Sequence, residues 1–169
     1  MSQVSAHGGK LVNLMAPESE HDALIKSCTT TLELDDRNAC DVELLCVGGF
    51  SPLTGFLNED DYNSVVENMR LKDGLLYGLP IVLDTADESI QVGSKVLLNY
   101  QGKAQAVMTV ESKWLPNKAK EAKACYGTSS LEHPGVLMIA TERSKYYIGG
   151  PITGLSIPER PFPCETPAQ

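Results

Sequence analysis

Ser51, Cys125 and His133 are the side chains of this 169-residue sequence whose types suit nucleophilic chemistry: a hydroxyl, a thiol and an imidazole base. Their spacing completes no nucleophile and base arrangement along the chain, since such sets are recognised by geometry and not by sequence position. A second chemistry, anion binding, would draw on Lys113, Lys118, Lys120 and Lys123, the one basic cluster. Glu111 and Glu121 dilute it, so a solvated helix face accounts for it more simply. Phosphate cradling by a glycine-rich loop has no representative, because no G-x-x-x-x-G-K-S/T segment occurs. Metal chemistry is equally unsupported. His7 has no second ligand near it in sequence, and Cys28, Cys40, Cys46, Cys125 and Cys164 are odd in number and form no C-x-x-C pair.

The bulk properties narrow the class. Hydrophobic content of 42% and charged content of 21% describe a soluble globular chain long enough to bury a sizeable core as one domain. Fourteen basic against twenty-two acidic residues give a net charge of −8, which works against nucleic acid and anionic membrane partners. Residues 31–73 hold ten of the acids against Arg37, Arg70 and Lys72 and read as solvated faces. No apolar run approaches the roughly 18 residues of a membrane span and the N-terminus lacks a signal-peptide pattern, so with reduced thiols the expected location is cytoplasmic.

These residues must be positioned by a mixture of helices and strands. Pro17 to Cys28 reads as a helix, Thr29 to Leu34 as a strand, and Asp35 or Asp36 caps a helix running to Val47 in which Cys40, Leu44 and Val47 share a face. Asn58 caps a second helix, to about Arg70, with Tyr62, Val65, Val66 and Met69 at i, i+3, i+4 and i+7. The character then turns to β: Gly78 to Asp84, then Lys95 to Tyr100 and Ala104 to Lys113 as a hairpin around Asn99-Tyr100-Gln101-Gly102. Asn117 caps a short helix with Ala119, Ala122 and Cys125 on one side, ended by Gly127. An apolar run at Leu137 to Ala140 and a last strand at Tyr146 to Ile148 follow. Five of the ten prolines fall in residues 151–169, which reads as a linker toward a following domain, leaving 1–150 as the folded domain.

Between the two capped helices lies the least generic passage, Gly48-Gly49-Phe50-Ser51-Pro52-Leu53-Thr54-Gly55-Phe56-Leu57. Three glycines and a proline call for special backbone geometry, while Phe50, Leu53, Phe56 and Leu57 ask to be buried. As an anchored loop it plugs a core; as an exposed one it is a binding surface.

Together with His7-Gly8-Gly9-Lys10-Leu11-Val12, Cys40-Asp41-Val42-Glu43-Leu44, His133-Pro134-Gly135-Val136 and Tyr147-Ile148-Gly149-Gly150-Pro151, this passage resembles the N-terminal domain of ATP sulfurylases (sulfate adenylyltransferases). The blocks occur in that family's order over residues 7 to about 155. The resemblance implies an α+β fold, a PUA-like β-barrel with flanking helices. It also implies a parent enzyme that joins sulfate to the α-phosphate of ATP, forming adenosine 5′-phosphosulfate and pyrophosphate, with magnesium. The family's catalytic Q-x-R-N, H-x-x-H and G-R-D segments, however, belong to a following nucleotidyltransferase domain, and none is present. Asp35-Asp36-Arg37-Asn38 approaches the first, but Asp35 stands where glutamine should.

The resemblance therefore implies a non-catalytic domain with no catalytic residue, cofactor site or metal site of its own. Its expected partners are the catalytic domain of the same protein and further subunits of a homo-oligomer. Gly48, Gly49, Phe50, Ser51, Pro52, Thr54, Gly55, Phe56, His133, Gly149 and Gly150 are the candidate signature or domain-interface residues. The rival expectation is a stand-alone PUA-like module binding RNA or a protein, against which the acidic balance and the lack of a basic stripe weigh.

Overall fold

In the computed structural model, which describes residues 4–159, 161, 166 and 167, side-chain caps start the helices where the sequence marks them. Asp35 accepts from the Asn38 N–H at 2.6 Å and opens α2 (Asp36–Cys46), and Asn58 accepts from the Asp61 N–H at 2.9 Å and opens α3 (Glu59–Asn68). Asn117 does the same through Lys120 N–H for α4 (Lys118–Tyr126), which Gly127 ends in the left-handed region. Upstream, α1 (His21–Lys26) follows a short 3-10 turn at Glu18–Glu20. The chain divides into two compact units: Met1–Phe56, Gly93–Val110 and Gly150–Gln169 form one, and Leu57–Val92 with Glu111–Gly149 the other.

The first unit is built on five strands in the order β1 (Thr30–Glu33), β4 (Lys95–Tyr100), β5 (Lys103–Thr109), the Gly150–Gly154 part of β7 (Tyr146–Gly154) and β2 (Gly55–Phe56). The pairing of β1 with β4 is parallel, Thr30 opposite Val96; the others are antiparallel. β4 and β5 form the expected hairpin, turned by Gln101 and Gly102 with φ of 50° and 78°, both in the left-handed region that a tight two-residue turn demands. Helix α2 packs on β5. Its buried face is Asn38, Ala39, Val42, Leu45 and Cys46. This corrects the sequence reading in part: Cys40 is exposed and Leu44 is 39% exposed while Val47 is buried, because Asp36–Cys46 offers two apolar stripes about one residue apart and the one through Ala39, Val42, Leu45 and Cys46 meets the sheet.

In the second unit, β3 (Leu83–Thr85) and β6 (Ser112–Trp114) both pair antiparallel with β7, at Tyr146–Ile148 and Tyr147–Gly149. Helices α3, α4 and α5 (Pro134–Thr141) complete it. The apolar run at Leu137 to Ala140, which the sequence left without a type, is helix, because His133 caps it and Pro134 occupies its first position. Two expectations change here. The strand read through Lys113 is two, broken where Val110 and Glu111 separate β5 from β6. The strand read from Gly78 shrinks to Leu83–Thr85, since Pro80 offers no N–H for pairing. Strand β7 carries its pairing past residue 150 to Gly154.

Candidate functional site

The Gly48 to Leu57 passage is held from within by its own backbone and one hydroxyl. Helix α2 ends at Cys46 with Val47 as its C-cap, and Gly48 takes φ +86°. A Cβ there would stand 2.6 Å from Val12 O, so only glycine fits. Ser51, 6% exposed, then clamps the arm to the loop: its Oγ accepts the Val12 N–H at 3.0 Å and donates to Gly48 O at 2.7 Å. The Ser51–Pro52 peptide is cis. At Gly55 the strand approaches β7 so closely that a Cβ would overlap Gly150 O, and the pairing of Gly55 with Pro151 and of Phe56 with Gly150 follows from that approach. Thr54 is exposed, but its carbonyl accepts the Ile152 N–H at 3.0 Å.

Burial separates the loop's apolar residues. Leu53, Phe56 and Leu57 are buried at 7, 2 and 3% exposure, whereas Phe50 is only half-buried. The expectation that Phe50 is a core residue is thereby corrected: its N–H donates back to Leu44 O at 3.3 Å, beside Gly49, where a Cβ would meet Leu44 Cδ2 at 2.8 Å. Exposed Leu11 borders the same region, since its Cδ1 would lie 2.9 Å from a Cβ on Gly48.

The candidate residues do not gather in one unit. Gly48 to Phe56 and Gly150 belong to the first, while His133 and Gly149 belong to the second. His133 is a helix cap: Nδ1 accepts the Gly135 N–H at 3.1 Å and the ring lies against Tyr126, centroids 4.8 Å apart. Cys125 lies elsewhere on α4, and burial, with the Glu121 charge beside it, pushes its thiol up to about 11. Burial likewise raises the Cys46 thiol to about 12. Neither is a thiolate at neutral pH, so neither is an activated nucleophile. Ser51 is committed to the Val12 and Gly48 backbone and His133 to the Gly135 N–H, and no hydrogen bond joins either to the Cys125 thiol among the described residues.

The lysine cluster is engaged as well. Lys113 Nζ donates to the carbonyls of Asp87, Glu88 and Ile90 at 2.9 to 3.0 Å, Lys118 to Arg143 O, Lys120 to Glu67 and Lys123 to Gly127 O. Among the described residues, no group of three or more His, Cys, Asp or Glu side chains is placed to hold a metal ion, and no helix is long and apolar enough to cross a membrane. Cys164 lies outside the described residues.

Sequence reasoning missed a buried polar cluster in the second unit. Arg143 Nη1 pairs with Asp84 Oδ1 at 2.9 Å, both side chains 7% exposed, and donates to Val82 O at 3.0 Å. The Ser144 N–H donates to Asp84 Oδ2 at 2.6 Å. Burial pushes the Asp84 carboxyl up, but the Ser144 N–H and the Arg143 guanidinium outweigh it, so the carboxyl titrates below the usual carboxylate range. Beside this pair, Tyr62, Trp114 and Tyr147 form an aromatic triangle with centroids 5.3 to 5.9 Å apart, and Tyr62 Oη donates to Glu121 Oε2 at 2.9 Å. Glu121 is 3% exposed, and burial raises its carboxyl above the ordinary glutamate range. The face of α4 is thus Glu121 and Ala122 with half-buried Cys125, while Ala119 is exposed. The one signal in sequence was that Glu121 and Cys125 stand four residues apart.

With this geometry in place, the chain can be set beside known proteins. The sulfate adenylyltransferase of Coccidioides immitis is 41% identical over 160 residues, covering 89% of this chain and 28% of that protein. The sulfate adenylyltransferase of Synechocystis sp. is 39% identical over 158 residues, covering 90% and 40%. A probable bifunctional SAT/APS kinase of Sorangium cellulosum is 38% identical over 171 residues, covering 98% and 29%. The chain spans 28 to 40% of the length of these relatives. A solved structure described as a hexameric APS kinase from Thiobacillus denitrificans superposes with a TM-score of 0.70 over 94% of this chain and 28% of that one; at 24% identity it bears on the fold alone. A family model of the PUA-like domain matches residues 4–157, from the N-terminal arm to beyond the end of β7, and the chain belongs to the PUA-like domain family.

Proposed function

We propose that this chain is the non-catalytic PUA-like domain of a sulfate adenylyltransferase, in which ATP, magnesium and sulfate are handled by the remainder of the parent protein. The observation that carries this reading is the 38 to 41% identity to sulfate adenylyltransferases over about nine-tenths of this chain and less than half of theirs. The chemistry agrees. Sulfate attack on the α-phosphate of ATP brings two anions together and needs clustered donors or positive charge. Here the four lysines of the basic cluster are each bonded to carbonyls or to Glu67, and Arg143 is paired with Asp84.

The loop supplies the contact side of the proposal. Leu53, Phe56 and Leu57 are buried, so what it offers a partner is what stays half-buried or exposed: Gly49, Phe50 and Thr54, with Leu11 at 46% and Leu44 at 39% exposure. This apolar side, covered by the remainder of the parent chain, is the proposed domain interface. Subunit contacts in a homo-oligomer are a second proposed use of the domain. A reducing, cytoplasmic location suits the unbridged thiols of Cys28, Cys46 and Cys125.

Calorimetric titration of the purified chain with magnesium-ATP and with sulfate tests the assignment of chemistry elsewhere. No saturable heat is expected from either. Micromolar affinity accompanied by turnover overturns it.

A further inference from the structure

Helix α4 is attached to its unit by a carboxyl group. Its buried residues are Glu121 and Ala122, so a carboxyl and a methyl group stand where amphipathic helices place large apolar side chains. The rest of its attachment is half-buried or exposed: Cys125, Tyr126 against His133, the Lys118 ammonium on Arg143 O, and the Lys120 to Glu67 pair with side chains 51 and 52% exposed. Exposed pairs of that kind contribute little.

The groups facing Glu121 come from every neighbour. From α3, Tyr62 donates its hydroxyl to Oε2 at 2.9 Å. From β7, Tyr147, 0% exposed, brings its hydroxyl near the same carboxyl without reaching hydrogen-bond geometry, and that hydroxyl has no partner among the described residues. Arg143, after α5, is spent on Asp84 of β3, and Lys118 and Cys125 share α4 itself, with the Lys118 ammonium on Arg143 O. None of the described cations forms an ion pair with Glu121. A buried carboxylate without a counter-ion is disfavoured against the neutral acid.

We propose that Glu121 is a proton latch: α4 is docked with Glu121 as the neutral acid, and loss of that proton loosens α4 from α3 while the rest of the unit stays folded. As the acid, the carboxyl still accepts from Tyr62, and its own O–H has the Tyr147 hydroxyl oxygen as a near acceptor. As the carboxylate it keeps the Tyr62 bond and has the Tyr147 O–H as a near donor, but burial outweighs both, because the charge is desolvated and has no ion-pair partner among the described residues. The sign follows. The proton is held more tightly in the docked state than in an undocked, hydrated one, so docking is tightest in acid, weakens as pH rises from the ordinary glutamate range through the raised value, and then levels off. This inference is independent of the proposed function, since it concerns a helix of this chain alone.

Amide hydrogen exchange followed by NMR across this pH range is the test, on the chain itself and on Glu121→Gln, which keeps the shape and the Tyr62 bond but cannot titrate. After removal of the rise that hydroxide catalysis imposes on every open amide, α4 amides of the parent chain should lose protection several-fold relative to α3 and α2. In the Gln variant this excess should vanish. Parallel behaviour of α4, α3 and α2 in the parent, or an excess that survives in the variant, overturns the latch. Should the variant fail to fold, the side-chain carboxyl ¹³C titration of Glu121 in the parent decides: a midpoint above the ordinary glutamate range supports the latch, and one at or below it overturns it.

Discussion

Substitution of Ser51 by alanine should unfasten the arm from the loop with little loss of apolar contact. The hydroxyl does two things in a site 6% exposed: it accepts the Val12 N–H at 3.0 Å and donates to Gly48 O at 2.7 Å. The two losses are unequal. Gly48 O retains the Ser51 N–H at 3.1 Å, whereas no second acceptor takes up the Val12 N–H among the described residues. The cost is therefore that of one buried, unsatisfied backbone donor, about 1 to 3 kcal/mol. For a chain of this size, about 2 kcal/mol corresponds to a fall of roughly 4 to 8 °C in melting temperature. Scanning calorimetry measures that fall, and hydrogen exchange localises it, because the Val12 amide should exchange on the order of 30-fold faster once about 2 kcal/mol of its protection is gone. Thr54→Ala is the control: the side chain is exposed and only its carbonyl is used, so a change within about 0.5 kcal/mol is expected. If Ser51→Ala melts with the parent chain and Val12 keeps its protection, the hydroxyl is not the clamp, and the loop is held by something other than the bonds described.

Other substitutions separate core from surface. Phe56→Ala, at a site 2% exposed, should cost about 3 to 5 kcal/mol in denaturant unfolding. Half-buried Phe50→Ala should cost well under half of that, and equal losses would contradict the difference in burial between the two phenylalanines. Arg143→Met strands the Asp84 carboxylate in a site 7% exposed and should cost about 3 to 5 kcal/mol, with rescue by the double substitution that also replaces Asp84 by an apolar residue. In the parent chain, the folded-state titration of Asp84 lies below the unfolded one. Its contribution is therefore present above the ordinary aspartate range and is lost as pH falls through the lowered value; Arg143→Met should flatten that acid limb of stability.

Local chemistry was the legible part of this fold. Asp35, Asn58 and Asn117 carry side chains that satisfy free helix N–H groups, and the structure uses all three as caps. Gln101-Gly102 turns the hairpin for the equally local reason that glycine accepts positive φ. What the sequence left open was decided at a distance. Ala39, Val42, Leu45 and Cys46 rather than Cys40 and Leu44 face inward because the sheet under α2 selects one of two apolar stripes, and that sheet includes Thr30 paired with Val96 far along the chain. Phe50 and Phe56 are the same residue type six positions apart, yet β7 buries one and leaves the other half-covered. The candidate residues kept to their motif but not to one place, since His133 caps α5 while Ser51 clamps the arm. Glu121 was the hardest to see. In a stretch reading Lys-Ala-Lys-Glu-Ala-Lys it looks solvated, and its burial shows only once α3 brings the hydroxyl of Tyr62 against it.

Pyrophosphate release from magnesium-ATP and sulfate tests the central claim most directly, measured on the chain alone and on a chimera in which it replaces the matching portion of the Synechocystis sulfate adenylyltransferase. The account predicts no release by the chain alone, and release by the chimera well above that of the Synechocystis protein shortened by the same portion. Release by the chain alone, or a chimera no more active than the shortened protein, would contradict it.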